Sequence, residues 1–292
     1  MSWRAWITFA VLCIAWGVPY FFIKVALEEL PPVTIAWGRI TLAAAILLPV
    51  AWRRGVLPAA LKHKGAILAF AIAELVFPFA AIAYGEQWIS SSLAGILVAA
   101  VPLTVLLIAP LFGVRERLGA RRLLGLAVGF SGVVALLGLD TGHGPMLWAG
   151  VGAITIAVIG YAVGPLIVQR YLGEVDELGA LSLSLAAASV ILLPIAWISA
   201  PSQLPSMVPL ISVVILGVIC TALALLLYFY LINAAGAARA SLVAYVCPAV
   251  AALLGVAILH ESFGPSSFAG LVMILLGSWL ASNRTPREAA TA

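Results

Sequence analysis

The run LAGILVAAVPLTVLLIAPLF, residues 93–112, contains no charged side chain and a single hydroxyl group, that of Thr104. A helix of about 20 residues extends roughly 30 Å, which matches the hydrocarbon core of a bilayer. A strand of a membrane β-barrel would alternate apolar and polar side chains, and this run does not alternate. The stretch therefore predicts a transmembrane helix.

Nine further segments share the apolar character of this run. Apolar residues make up 64% of the chain and charged residues 9%, whereas soluble domains have roughly 45–50% and 25%. We therefore predict an all-α membrane protein with ten transmembrane helices. The predicted spans are residues 3–24, 33–52, 65–85, 92–114, 122–139, 147–169, 178–199, 207–230, 239–259 and 266–282.

Many distinctive residues return 146 positions later in the 292-residue chain. Such pairs are Pro19 and Pro165, Lys24 and Arg170, Tyr84 and Tyr230, and Pro102 and Pro248. After a one-residue deletion, Glu116 returns as Glu261. Solenoid repeats are much shorter, roughly 20–50 residues. The sequence therefore predicts two five-helix repeats, residues 1–146 and 147–292.

Positive charge is distributed unevenly between the two ends of the predicted spans. Of fifteen Lys and Arg residues, only Lys24 and Arg39 fall on or near the side opposite the N-terminus. Cytoplasmic connections carry the excess of Lys and Arg, so we predict that both termini are cytoplasmic. The other thirteen are Arg4, Arg53, Arg54, Lys62, Lys64, Arg115, Arg117, Arg121, Arg122, Arg170, Arg239, Arg284 and Arg287.

The odd number of spans in each copy predicts that the second copy is inverted relative to the first. Inverted repeats of this kind hold a substrate near the middle of the membrane, and they alternate its access by moving one element against another. The net charge of +4 is explained by the charge bias between the two sides, so no nucleic-acid partner is expected.

Several motifs link the chain to a known family. They are Trp16-Gly17-Val18-Pro19, Arg39, the segment from Ser90 to Pro102, Glu116-Arg117, the segment from Ala237 to Pro248, and His260-Glu261. With these motifs the chain resembles the EamA-type ten-helix permeases of the drug/metabolite transporter superfamily over nearly its whole length. The resemblance implies a bacterial inner (plasma) membrane exporter of small metabolites, with amino acids as the preferred substrates.

Glu74 lies near the middle of the third predicted span. An ionised carboxylate at that depth costs roughly 2.5–3.5 kcal/mol, so it needs a water-filled cavity, a partner or a proton. We interpret Glu74 as a cavity residue that contacts a substrate amine or takes up a proton. The alternative is a neutral acid that makes a structural hydrogen bond near Pro78. Its repeat partner is Cys220, which makes the two halves chemically different at this position.

Aromatic residues give a second indication of a cavity. Most tryptophans lie toward the ends of predicted spans, where indole rings anchor at the interface, but Trp16 lies deep. With Tyr20, Phe77, Tyr161 and Tyr245, it is predicted to line a largely apolar substrate cavity. The alternative is ordinary helix packing, in which neighbouring backbone groups satisfy the polar tips.

Four prolines within predicted spans are paired across the repeat. They are Pro19, Pro102, Pro165 and Pro248. Each removes a backbone donor inside a helix, and we interpret them as kinks that open a cavity and flex during gating. A purely architectural role is the alternative, because kinks are common in membrane helices.

Lys24 and Arg39 lie near the predicted outer ends of the first two helices, in the same region as Glu28, Glu29 and Glu86. They are candidate outer-gate charges, and the alternative is that they are solvated charges with buried stems. Glycines in the fifth and tenth spans predict close helix packing within a monomer, with a dimer interface as the alternative. These are Gly125, Gly129, Gly132, Gly270 and Gly277.

The sequence lacks the patterns of an enzyme or a metalloprotein. His63, His143 and His260 fall in or beside loops, and Asp140 and Asp176 fall at opposite faces of the membrane. There is no Gly-x-Ser-x-Gly, no His-Glu-x-x-His and no Walker A motif. We therefore expect no catalytic residues, no metal and no cofactor. The predicted partners are a small-molecule substrate and the bilayer, while drugs, quaternary amines, nucleotide sugars, sugar phosphates and lipid carriers remain alternative substrates.

Overall fold

The computed structural model describes residues 2–113, 119–138 and 146–282. Within these ranges the chain forms helices and short connections, without a β-strand. Ten apolar helices, here called spans 1 to 10, are present. They are Trp3–Ala26, Pro32–Arg53, Lys64–Gly85, Ser91–Phe112, Ala120–Leu137, Met146–Leu172, Glu177–Ile198, Met207–Ala235, Val243–Ala257 and Pro265–Ala281.

The predicted all-α membrane fold with ten helices is confirmed. Each predicted span overlaps one observed helix, and the largest difference is at span 8, which the structure extends from residue 230 to Ala235. Spans 1 to 8 are long enough to cross a bilayer, whereas spans 9 and 10 are shorter. Some residues used in the sequence predictions lie outside the described ranges, namely Arg115, Glu116, Arg117, Asp140, His143, Arg284 and Arg287.

Polar side chains cap the first turns of several spans. The hydroxyl of Ser2 accepts a hydrogen bond from the Ala5 amide at 3.3 Å, and Ser90 accepts one from the Leu93 amide at 3.1 Å. The carboxylate of Asp176 caps span 7 in the same way. The first amides of a helix have no partner within it, so these caps fix where the chain enters the bilayer.

Spans 1 and 4 are each interrupted at a proline. Span 1 consists of the helices Trp3–Gly17 and Pro19–Ala26, which meet at Val18. Span 4 is broken between Val98 and Val101, just before Pro102. A proline removes one backbone donor and clashes with the preceding turn, which explains why a new helix begins at each position.

Three spans contain π-helical turns. These are Ala71–Val76 in span 3, Val168–Leu172 in span 6 and Val218–Leu223 in span 8. A π-turn inserts one extra residue and rotates the side chains that follow, and such turns are frequent at functional sites. The turn in span 3 contains Glu74, and the turn in span 8 contains Cys220 and Thr221.

The spans of the first half pack mainly against spans of the second half. Span 2 packs against span 7, span 3 against span 6, span 4 against span 9, and span 5 against span 10. Span 1 packs against spans 8 and 9. The core is therefore shared between the two halves of the sequence.

Spans 5 and 10 approach each other through glycines. A β-carbon added at Gly277 would overlap the backbone of Gly129, and one added at Gly125 would lie 2.6 Å from the Ala281 nitrogen. Gly132 faces Gly270 in the same interface. Small residues allow backbones in a membrane to come close enough for extensive van der Waals contact. The predicted glycine faces thus meet each other inside the chain.

The bundle has two ends. We call the end where span 1 begins the N face, and the other end the far face. At the far face, the Glu29 carboxylate accepts hydrogen bonds of 2.6 Å from the amide and hydroxyl of Ser206. These bonds lower the pKa of Glu29 below its usual value. At the N face, the Arg170 guanidinium donates to the carbonyl oxygen of Phe112.

We predict that Gly277→Ala destabilises the bundle. The new methyl group meets backbone, which cannot move aside as a flexible side chain could, and overpacking of this kind costs about 1–3 kcal/mol. Thermal unfolding of the purified protein in detergent would show a lower midpoint. Gly152→Ala is the control, because a β-carbon there meets nothing within 4 Å. An unchanged midpoint in Gly277→Ala would contradict the close approach.

Candidate substrate cavity

A cavity of about 340 Å³ lies in the centre of the bundle. Its size falls within the range of small-molecule sites, and its wall is mostly apolar, as in such sites. The walls come from spans 1, 2, 3, 4, 6, 7, 8 and 9. Side chains that can form polar interactions in this wall are Trp16, Tyr20, Arg39, Glu74, Tyr161, Cys220, Thr221 and Cys247.

Arg39 supplies the positive charge of the central cavity. It is 7% exposed, and its Nε atom donates a hydrogen bond of 2.7 Å to the hydroxyl of Thr221. Its guanidinium also lies 4.0 Å from the centroid of the Phe79 ring, a favourable cation–π position. The π-turn of span 8 places Thr221 next to this side chain. Spans 3 and 8 therefore hold Arg39 in place. Its Nε–H group is used in this contact, and the N–H groups at the end of the guanidinium can still bind a ligand.

The structure corrects the predicted position of Arg39, which the sequence placed near the outer end of the second helix as a candidate outer-gate charge. Span 2 begins at Pro32, so Arg39 lies about two helical turns inside it. Its long side chain reaches the central cavity. The cavity therefore contains a basic as well as an acidic group.

Glu74 supplies the acidic group of the cavity and lies in the π-turn of span 3. Its Oε2 atom is buried and has no hydrogen-bond partner within the described residues. The carboxyl group packs against Gly164 of span 6, where any β-carbon would overlap it. Glycine at position 164 thus makes room for this acid, and one carboxyl oxygen remains available to a ligand or a proton.

Aromatic rings connect the two charged groups. Phe79 lies between Arg39 and Tyr161, and its ring centroid is 6.5 Å from that of Tyr161 in an edge-on arrangement. Tyr161 is one helical turn before Gly164, the residue that contacts Glu74. The cavity therefore presents a cation, a phenol and an acid along one continuous wall.

The structure brings together four of the six predicted cavity residues. Trp16, Tyr20, Glu74 and Tyr161 line the central cavity. Phe77 does not, because it is 55% exposed and outside the cavity wall, so that prediction is wrong. Residues three apart in a regular helix lie on the same face, so Phe77 was expected beside Glu74. The π-turn Ala71–Val76 rotates the side chains that follow it, and Phe77 therefore points away from the cavity.

Tyr245 lines a second cavity rather than the central one. This cavity measures about 540 Å³ and includes Arg122, Gln169 and Ser241 near the N face. Its wall shares four residues with the central cavity, which are Trp16, Val101, Pro102 and Ala244. The second cavity therefore adjoins the central cavity on the side of the N face, and we call it the vestibule.

The four predicted kink prolines behave differently in the two halves. Pro19 and Pro102 begin new helices after an interruption, whereas the helices Met146–Ile167 and Val243–Ala257 continue through Pro165 and Pro248. Pro19, Pro102 and Pro248 line the central cavity, and Pro165 lines the vestibule. The prolines are thus adjacent to the cavities, and only the first-half pair interrupts the helix.

At the far face, hydrogen bonds from two neighbouring segments hold the connection between spans 3 and 4. Lys24 donates to the carbonyl oxygens of Glu86 and Ile89 at 2.5 and 3.0 Å. The Glu261 carboxylate accepts hydrogen bonds from the amides of Ser91 and Ser92 at 2.7 and 2.9 Å. Lys24, the other candidate outer-gate charge, thus holds backbone carbonyls. The role of Glu261 was missed, because a helix-capping partner 170 residues away leaves no local signal.

We predict that Thr221→Val destabilises the protein. Arg39 would lose its buried hydrogen-bond acceptor, and an unsatisfied buried donor costs about 1–3 kcal/mol. The midpoint of thermal unfolding in detergent should fall, while Thr221→Ser, which keeps the hydroxyl, should remain near the wild-type value. Equal melting of the Val and Ser variants would show that the hydrogen bond contributes little.

Comparisons with known proteins agree with this architecture. The chain is 29% identical to the inner membrane transporter YedA of Escherichia coli (strain K12) over 280 residues, covering 92% of this chain and 90% of that protein. It is 26% identical to protein PagO of Salmonella typhimurium over 282 residues, covering 94% and 91%. A crystal structure of another protein shares the fold, with a TM-score of 0.68, 19% identity and 97% coverage of both chains.

The model of the EamA-like transporter family matches the chain twice, over residues 3–138 and 148–283. These two segments together include nearly all of the described residues. The predicted resemblance and the assignment as a membrane transporter are confirmed. The chain belongs to the EamA-like transporter family.

Proposed function

We propose that the protein exports small zwitterionic metabolites, with amino acids as the first candidates. The observation that carries the proposal is the presence of Arg39 and Glu74 in the wall of one cavity of about 340 Å³. A guanidinium can bind a substrate carboxylate through two parallel hydrogen bonds. The Glu74 carboxyl group can accept the substrate ammonium. The apolar remainder of the wall suits a side chain.

Sugar phosphates and nucleotide sugars are the second candidates, and Arg39 is the observation that favours them. A phosphate dianion needs several donors to replace its hydration. In this cavity it would have one guanidinium and would face the acid Glu74. One basic and one acidic group therefore fit a zwitterion better than a dianion.

Alternating access through two inverted repeats is the proposed mechanism, and the packing of the spans supports it. Suppose that each span of one half is replaced by its counterpart five spans away in the other half. The contact between spans 3 and 6 then becomes the contact between spans 8 and 1, and both contacts are observed. The same exchange leaves the 2–7, 4–9 and 5–10 contacts unchanged. The two separate matches to the family model, over 3–138 and 148–283, support the same division. The repeats are residues 1–146 and 147–292.

We place both termini in the cytoplasm of a bacterium and the protein in its inner membrane, as a monomer without a cofactor or an enzymatic activity. The charge bias supports the orientation, and the similarity to YedA, an inner membrane transporter, supports the location. The vestibule at the N face then opens to the cytoplasm, and the far face is closed to the outside. This is the form in which an exporter would load its substrate.

Counterflow in proteoliposomes tests the substrate class. Vesicles loaded with one amino acid should accumulate the same labelled amino acid, and sugar phosphates should not exchange. Glu74→Gln should weaken apparent affinity for the amino acid by about 10- to 100-fold, because a hydrogen bond to a charged group contributes about 1.5–3 kcal/mol. Glu28→Gln, at an exposed acid of the far face, is the control. Exchange of sugar phosphates alone would reject the zwitterion.

Accessibility of a single cysteine tests the direction of opening. Ala244 is exposed and lies where the vestibule meets the central cavity. Ala244→Cys, with Cys13, Cys220 and Cys247 replaced by Ala, should react with a membrane-impermeant thiol reagent from the side of the N-terminus. Ala26→Cys, fully buried near the far face, should stay unreactive. Faster labelling of position 244 from the opposite side of the membrane would contradict an opening toward the side of the N-terminus.

A further inference from the structure

Glu86 is a buried acid that the proposed transport cycle does not yet use. It follows span 3 at the far face, and its side chain is 0% exposed. Both carboxyl oxygens are buried and have no hydrogen-bond partner within the described residues. An ionised carboxylate in this position would lose its hydration without replacement. The neutral acid is therefore the form that fits the closed structure.

The charged groups around Glu86 are already engaged elsewhere. The Lys24 ammonium donates to the backbone carbonyls of Glu86 and Ile89 rather than to the carboxyl group. The Glu261 oxygens accept the amides of Ser91 and Ser92 and the hydroxyl of Ser92. Neither Lys24 nor Glu261 therefore forms a hydrogen bond with the Glu86 carboxyl group in the part of the chain that the structure describes.

Spans 1 and 2 contribute the remaining ionisable neighbours, Tyr20 and Arg39, and Arg39 is held by Thr221 and Phe79. Burial raises the pKa of Glu86 well above its usual value. Lys24 and Arg39 oppose this shift, and Glu261 adds to it. Asp140 and His143 lie outside the described residues.

The burial of Glu86 depends on the closure of the far face. The connection that contains Glu86 is held on one side by Lys24 and on the other by Glu261. Opening this face has to separate the connection from one of these partners, and water would then reach the carboxyl group. A hydrated glutamic acid ionises near pH 4.3, so it would release its proton at neutral pH.

We propose that Glu86 is a proton-binding site, and that the bound proton holds the far face closed. Closure binds one proton to the carboxylate and opening releases it to the solution at the far face. Linkage gives the direction of the pH dependence. A group that binds its proton more tightly in the closed state favours that state at low pH. Closure is therefore complete below the pKa of the hydrated acid and is lost as pH rises through the pKa of the buried acid.

The proposal rests on the proposed alternating access and adds a coupling ion to it. In the predicted orientation the far face is outside the cell. A proton from the outside would close the empty carrier and return it to the form that opens to the N face. Closure of the far face would then be a step that external acid accelerates, whatever the transported solute.

Distance measurements between two spin labels test the proposal directly. The labels are placed at Gln87→Cys and Ser262→Cys, two exposed positions on either side of the contact between Glu261 and span 4. The background carries Ala at Cys13, Cys220 and Cys247, and the full-length protein is held in lipid nanodiscs. At pH 5 a single short distance is expected. Raising the pH to 9 should reduce this population at least threefold in favour of a longer distance.

Substitution of Glu86 assigns the effect to one group. Glu86→Gln, a neutral side chain of the same size, should keep the short distance at every pH, and Glu28→Gln should behave as the parent does. Glu86→Asp retains an acid and should retain the pH response. This variant tests the proposal even if Glu86→Gln folds poorly. A pH-independent parent, or a response that survives in Glu86→Gln, would overturn the proposal.

The spin labels report on the far face without any substrate. A pH response without amino-acid counterflow would leave the proton site in place and reject the substrate class. Amino-acid counterflow without a pH response would support the substrate class and reject the proton site.

Discussion

The structure depends on one constraint, which is that hydrocarbon offers no hydrogen bonds. Every backbone group within the bilayer has to find its partner inside the chain, so each crossing is a helix. Ionisable side chains at this depth almost always face the interior of the bundle or a cavity. Arg39 and Glu74 do so from spans 2 and 3, where both face the same cavity. The cost of their burial is acceptable only at a site that solvent, substrate or a proton can reach.

Close contact between helices makes that shared interior possible. Glycine supplies it where a side chain could not fit. Gly164 accommodates the carboxyl group of Glu74, and Gly255 lies against the contact between Glu261 and Ser92. At both places an alanine β-carbon would overlap a carboxyl oxygen. The small residues of this bundle therefore serve two purposes, since they bring helices together and they leave room for buried acids between them.

The sequence was sufficient for the number and the approximate ends of the helices, because hydrophobic length is a local property. It was also sufficient to select Trp16, Tyr20, Glu74 and Tyr161, which are polar or aromatic residues at depth. It failed for Arg39, whose distance from the helix start suggested an outer position, and for Phe77, which follows a π-turn. Side-chain reach and helix register both depend on the neighbouring span, and no pattern within one segment contains that information.

Equivalent segments of the two halves have different conformations here. The helices break before Pro19 and Pro102, but they continue through their counterparts Pro165 and Pro248. A proline permits a break without requiring one, so the surroundings decide which form each helix takes. Pro19, Pro102 and Pro248 line the central cavity, and Pro102 and Pro165 line the vestibule. In the proposed alternating access, exchanging the two forms between the halves would open the far face and close the other.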